Sequence, residues 1–196
     1  MKIKVYIYDL NKIINNPNLI DVIKNHTDNY KHDEKRKISE SNYYLALKKL
    51  EELNANINSF RFQDNKPIID DFYISFSHTT NYFGFTISKQ DNGFDIEKII
   101  DEKRQDRIAK KILRDEYYNN YINSNNKGYY LTKIWTEFES SGKMLGTGLD
   151  YKFNHLDIFY KSFMIDEKIF TICSKSDFEL EIYVNDILRG DLIGKC

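Results

Sequence analysis

The sequence predicts an α+β fold, and three observations carry that assignment. Residues 2–8 alternate Lys, Ile, Val and Tyr in the period-two pattern of a strand. Residues 33–53, 104–122 and 131–145 instead place apolar side chains every third or fourth position, as helices do. The strand-like runs between Ile57 and Glu97 follow one another without intervening helices, which fits strand meanders with helices laid across them.

The elements can be justified in chain order. Leu19, Val22 and Ile23 suggest a short helix with Pro17 near its start. Ile38, Tyr43, Leu45, Leu47, Leu50 and Leu53 then mark a long helix, although the polar stretch Ser39–Asn42 weakens its pattern and predicts a late start. Strands are expected at Ile57–Phe62, Phe72–Phe76, Tyr82–Ser88 and Phe94–Glu97, with turn chemistry at Asn65-Lys66-Pro67 and at Gln90-Asp91-Asn92-Gly93. Helices are expected at Arg104–Leu113 and Asp115–Ile122, followed by a polar loop at Asn123–Gly128. Leu131, Ile134, Trp135, Phe138 and Leu145 give a helical stripe that Gly146-Thr147-Gly148 stops. Strands at Leu156–Phe163, Lys168–Ser174 and Phe178–Val184 complete the chain.

At 196 residues the chain suffices for one large domain or two small ones sharing a core. Its 41% apolar and 30% charged residues are ordinary for a globular protein, and 15 Tyr with 13 Phe require an aromatic core. A formal charge of −1 supplies no broad basic field for nucleic acid or an anionic membrane. No apolar run reaches the roughly 18 residues a spanning helix needs. The N-terminal strand is too short and interrupted for a signal peptide. Cys173 and Cys196 lie far apart with no CxxC spacing, so structural zinc and a disulfide framework are not expected and a reducing cytoplasm fits.

Four features could carry chemistry. In Gly93-Phe94-Asp95-Ile96-Glu97 the strand period puts Asp95 and Glu97 on one face and Phe94 and Ile96 on the other. Paired carboxylates repel unless a cation or proton lies between them, and oxygen ligands favour Mg²⁺. Taken alone, the motif also reads as a solvated strand end. In Trp135-Thr136-Glu137-Phe138-Glu139-Ser140-Ser141-Gly142-Lys143, one helical turn separates Glu139 from Lys143. Such a pair is commonly a surface ion pair, but Trp135 one turn earlier makes this face partly buried. Ile74-Ser75-Phe76-Ser77-His78-Thr79-Thr80 runs a strand into a polar loop suited to hydrogen-bonding phosphate, without a nucleophilic triad. Lys31, His32, Lys35, Arg36 and Lys37 form a basic cluster, by default a solvated helix face.

The order and spacing of these motifs carry more than any one of them. Asn65-Lys66-Pro67, Ile74–Thr79, Gly93–Glu97, Ile108–Tyr117 and Trp135-Thr136-x-x-Glu139-x-x-x-Lys143 together resemble 4′-phosphopantetheinyl transferases of the surfactin-synthetase-activating type, over about residues 57 to 150. The resemblance implies a pseudo-dimer of two similar α+β halves, here 1–90 and 91–196, with the active site in the cleft between them. It implies Mg²⁺ (or Mn²⁺) on Asp95, Glu97 and Glu139, shared with the pyrophosphate of coenzyme A. Lys143 would contact the phosphates and protonate departing 3′,5′-ADP, and Glu139 would also serve as base for the carrier serine. His78 would bind the 3′-phosphate with Ser77 beside it, Lys66 and Pro67 would line the adenine and ribose, and Lys35, Arg36 and Lys37 would lie near the same phosphate.

The implied reaction moves the phosphopantetheine arm of coenzyme A to a serine of an apo acyl or peptidyl carrier protein, by a cytoplasmic monomer that binds neither nucleic acid nor membrane. Two departures stand out: Phe138 replaces a family lysine, and Ser140 replaces an alanine. The competing readings are a non-catalytic coenzyme A or carrier-protein binding homologue and a metal-dependent nuclease. Against the nuclease stand the helical spacing of Glu139 and Lys143 and the absence of a broad basic groove.

Overall fold

The first strand, β1 (Lys2–Asp9), is buried on both faces, and the architecture follows from its two sides. Tyr6 and Tyr8 face one apolar cluster, whereas Ile3, Val5 and Ile7 face another. A strand apolar on both faces belongs inside a sheet with material above and below it. The computed structural model describes residues 1–148 and 157–192 and confirms the α+β class.

The remaining elements are α1 (Asp21–Thr27), α2 (Asp33–Glu52), β2 (Arg61–Gln63), β3 (Lys66–Ile69), β4 (Phe72–His78), β5 (Tyr82–Ser88) and β6 (Asn92–Lys98). They continue with α3 (Glu102–Ile112), α4 (Asp115–Asn123), α5 (Lys127–Leu145), β7 (Phe159–Ile165), β8 (Lys168–Ser174), β9 (Glu179–Val184) and β10 (Ile187–Leu188). Seven strands form one sheet in the order β10-β9-β1-β5-β4-β3-β2, and three form a second in the order β6-β8-β7. All neighbours are antiparallel except β1 and β9, which run parallel from Lys2 opposite Glu179 to Ile7 opposite Val184.

Two helix-on-sheet layers result. α2 lays Ile38, Tyr43, Ala46, Leu47 and Leu50 on Phe83, Phe85 and Ile74 of the seven-stranded sheet. α5 packs on β6 and β8 of the three-stranded sheet. Between the sheets, Ile3, Val5 and Ile7 meet Phe94, Ile96, Phe170 and Ile172. Strands β9 and β10 come from the 91–196 portion but complete the sheet of the 1–90 portion.

Three local differences from the sequence reading have physical causes. α2 begins at Asp33 despite Ser39–Asn42, because Ser41 turns its hydroxyl back onto the Lys37 carbonyl at 2.8 Å and accepts the Ile14 N–H at 2.9 Å. Lys66 and Pro67 lie on a strand, and the turn before them is made by Asp64 and Asn65, both at positive φ. Residues 57–59 form a 3₁₀ turn, leaving only Arg61–Gln63 as strand. The expected strand start at Leu156 falls outside the described residues, as does Cys196.

Two glycines permit close approaches around α5. A Cβ on Gly93 would stand 1.8 Å from the Ser140 carbonyl oxygen, so β6 meets α5 there without a side chain between them. Gly146 caps α5 in the left-handed region at φ 70°, packed against the Asp64 backbone.

A third apolar cluster holds α3 and α4 onto α5 through Ala109, Ile112, Leu113, Tyr121, Leu131, Ile134 and Phe138. Phe138 is only 5% exposed and meets the Tyr117 ring edge-on. The departure at this position is therefore a core side chain. Phe138→Lys would bury an ammonium among apolar groups and is expected to cost at least about 3 kcal/mol, read as a shift in urea midpoint at constant m.

Candidate active site

The centre of the molecule is the edge of β6 that no backbone ladder pairs. Its opposite edge pairs with β8, from Asn92 opposite Ser174 to Lys98 opposite Lys168. The N–H groups of Phe94 and Ile96 are turned toward β4, where no backbone ladder receives them. Ser75 and Ser77, two apart on β4, accept them instead: Phe94 N–H bonds Ser75 Oγ at 3.0 Å and Ile96 N–H bonds Ser77 Oγ at 3.1 Å. The Phe94 carbonyl accepts from Lys143 Nζ at 2.9 Å. Buried backbone groups require partners, and here three side chains supply them.

Asp95 sits inside this arrangement. It lies opposite Thr171 of β8, whose hydroxyl meets Thr136 of α5, so Asp95 emerges on the α5 side of the sheet. Its Oδ1 accepts from Ser77 Oγ at 3.0 Å and from Lys143 Nζ at 2.8 Å. Its Oδ2 is buried with no hydrogen-bond partner, and the residue is only 4% exposed. An orphaned buried carboxylate oxygen is an expensive feature unless something binds it.

Glu97 and Glu139 join Asp95 electrostatically. Burial raises the Glu97 pKa first and Asp95 raises it further, while a hydrogen bond from Trp135 lowers it, leaving it at about 7. Burial and then Asp95 also raise the Glu139 carboxyl, against the opposing pull of Lys143. Three carboxyl groups thus crowd one another with one lysine among them. Among the described residues, no three His, Cys, Asp or Glu side chains are grouped closely enough to hold a metal ion by themselves. The donor set nevertheless suits Mg²⁺, which takes one or two carboxylates, keeps waters and completes its shell with substrate phosphate oxygens. The orphaned Asp95 Oδ2 and the mutual repulsion of the carboxyl groups are what such a cation would relieve.

The other expected site residues divide. His78 ends β4 with an exposed face, yet the protein crowded around the ring, then Lys143 and Lys35, hold its pKa below the usual histidine range. Lys35, on the first turn of α2, is thus within electrostatic reach of His78. Arg36 and Lys37 pair with Asp33 of their own helix at 2.7 and 2.8 Å. Lys66 bonds Asp91 at 2.6 Å and the Met144 carbonyl at 2.9 Å, tying β3 to the end of α5.

Two cavities flank the carboxyl groups. One, of about 350 Å³, is lined by Tyr43, Lys66, Pro67, Phe76, Glu139 and Lys143. The other, of about 530 Å³, lies between α3 and α5, with Glu97 and Trp135 on one wall and Arg104, Arg107 and Lys111 on the other. The sequence reading did not single out these three α3 cations. Their signal was available, because positions 104, 107 and 111 share one helical face.

No curated protein matches the chain. Residues 92–187, which supply Asp95, Glu97, Glu139 and Lys143, match the family model of the 4′-phosphopantetheinyl transferase superfamily.

Proposed function

We propose that this protein is a phosphopantetheinyl transferase of the surfactin-synthetase-activating type, moving the arm of coenzyme A onto a carrier-protein serine. The observation that carries the reading is the electrostatic convergence of the half-buried Glu97 and Glu139 on the buried Asp95, which Lys143 bonds, inside the segment that matches the superfamily.

Asp95, Glu97 and Glu139 would hold Mg²⁺ or Mn²⁺, which when bound neutralises the pyrophosphate oxygens of coenzyme A. The chain's own groups then have distinct tasks. Glu139 accepts the proton of the attacking serine hydroxyl. The serine oxygen forms a bond to the β-phosphorus as the bond to 3′,5′-ADP breaks. Lys143 is a charged donor beside Asp95 Oδ1, suited to the negative charge that builds on the transferred phosphoryl and to protonating the leaving phosphate. His78 and Lys35 supply a donor and a fixed charge for the 3′-phosphate. Arg36 and Lys37, already paired with Asp33, contribute less to that phosphate than Lys35.

The second cavity suits the acceptor. Arg104, Arg107 and Lys111 are exposed and form no ion pair among the described residues, while Ile108, Ile112 and Trp135 give the groove an apolar floor. An acidic helix of a carrier protein complements that wall and would bring its serine toward Glu97 and Glu139. No described helix is long and apolar enough to cross a membrane. We further place the reaction in the cytoplasm, by a monomer.

The direct test is intact-mass spectrometry of an apo carrier protein incubated with the protein, coenzyme A and Mg²⁺. The carrier is expected to gain one phosphopantetheine mass, and EDTA is expected to prevent it. Coenzyme A binding without any mass gain across several carriers would favour the non-catalytic binding homologue. Lys143→Ala is expected to lower the transfer rate by about 10²- to 10³-fold with the fold retained by circular dichroism. Arg107→Glu combined with Lys111→Glu is expected to raise KM for the carrier by at least about tenfold while leaving KM for coenzyme A unchanged. Equal effects on both substrates would remove α3 from the docking surface.

A further inference from the structure

We infer that Ser77 is a positioning residue for Asp95, not a phosphate ligand. The inference rests on the reading of Asp95 as a metal ligand. Ser77 is only 6% exposed, and its hydroxyl is already committed in both directions: it accepts the Ile96 N–H at 3.1 Å and donates to Asp95 Oδ1 at 3.0 Å. A serine hydroxyl has one proton to donate. With that proton on Asp95, nothing remains to offer a phosphate oxygen. The proton's direction follows from its two partners, because the Ile96 N–H can only donate to Oγ and an ionised Asp95 carboxylate can only accept from it.

The consequence concerns which carboxylate oxygen is available. Ser77 and Lys143 both donate to Oδ1, so the plane and rotation of the Asp95 carboxylate are set from one side. Oδ2 is then left buried and without a hydrogen-bond partner. Outer hydrogen bonds to a metal-binding carboxylate fix its orientation, and losing one commonly weakens metal affinity by about 10- to 100-fold.

The same strand provides an internal control. Ser75 also accepts a β6 amide, from Phe94 at 3.0 Å, and is equally buried, but it makes no hydrogen bond to Asp95. Ser75→Ala and Ser77→Ala therefore each remove one hydroxyl-to-amide bond from the same junction. Only Ser77→Ala also releases Asp95.

The experiment is titration of Mn²⁺ in the presence of coenzyme A, followed by the electron paramagnetic resonance of the free ion, with thermal midpoints measured in parallel. Ser77→Ala is expected to weaken Mn²⁺ binding by at least about tenfold. Ser75→Ala is expected to leave it within about twofold, with a similar fall in thermal midpoint, and Ser77→Thr is expected to restore affinity. Should Ser77→Ala not fold, Ser77→Cys keeps the shape with a weak donor and is read the same way. Equal Mn²⁺ affinities for the Ser75 and Ser77 variants, with binding lost in Asp95→Ala, would overturn the positioning role and leave the metal assignment intact. Mn²⁺ binding retained in Asp95→Ala would overturn both.

Discussion

The junction between β4 and β6 is the constraint on which the rest of the molecule depends. A sheet edge carries unsatisfied N–H and C=O groups, and when it is buried these must find partners. Direct pairing of β4 with β6 would have merged the two sheets into one continuous surface. Two serine hydroxyls and one lysine take the place of that ladder, so the sheets remain separate layers with a polar seam between them. An unsatisfied buried amide costs about 1–3 kcal/mol, which makes the seam a structural requirement before it is a functional one. Because Asp95 lies between Phe94 and Ile96, the groups that close the edge necessarily surround its carboxylate. The location of the candidate site is thus a consequence of how the sheets join.

The charge balance at the seam is deliberately incomplete in the protein alone. Asp95 raises the proton affinity of both Glu97 and Glu139, and Lys143 offsets only part of that effect. Structures that concentrate like charge in a buried place sacrifice stability for function, and the apolar framework here is arranged to bear it. Phe94 and Ile96 anchor β6 in the inter-sheet core, so the carboxylates at 95 and 97 cannot swing away without exposing those side chains. On the helix side, Phe138 is drawn into the cluster with α3 and α4 while Glu139, the next residue, faces the cavity. Adjacent positions on α5 serve opposite demands, since successive helical residues project about 100° apart.

The sequence made much of this legible, and its limits are physical. The apolar runs of β1, β5 and β8 and the helical stripe of α5 were legible because the strands are long and buried almost throughout and the helix buries one face. Ser39–Asn42 misled because a serine inside a helix can satisfy itself against its own backbone, and spacing does not record that bond. The strand at Lys66–Ile69 was hidden by Pro67, whose turn preference was outweighed by pairing with β2 and β4. The pairing of β1 with β9 joins residues about 175 positions apart, which no local window can read. At the site, the i, i+2 rule gave the shared face of Asp95 and Glu97, but the role of Ser77 depends on which strand lies opposite it. Arg36, Lys37 and Lys35 are consecutive in sequence, and only the direction of each side chain separates those bound to Asp33 from the one beside His78.

The two cavities impose a direction on the proposed reaction. The first opens from Glu139 and Lys143 toward the β2–β3 turn, and the second opens from Glu97 and Trp135 along α3. A donor anchored by its phosphates in the first cavity and an acceptor approaching through the second would meet at the carboxylates from opposite sides. In-line displacement of a phosphate requires that arrangement, with the attacking and leaving oxygens on opposite faces of phosphorus. The Lys66 bonds to Asp91 and to the end of α5 keep the first wall at a fixed distance from the carboxylates. Lys66 then shapes the donor cavity through the protein it joins, whatever contact it makes with the donor itself. The second cavity carries exposed cations and an apolar floor, which would select an acceptor by charge and shape without committing a buried group to any one partner.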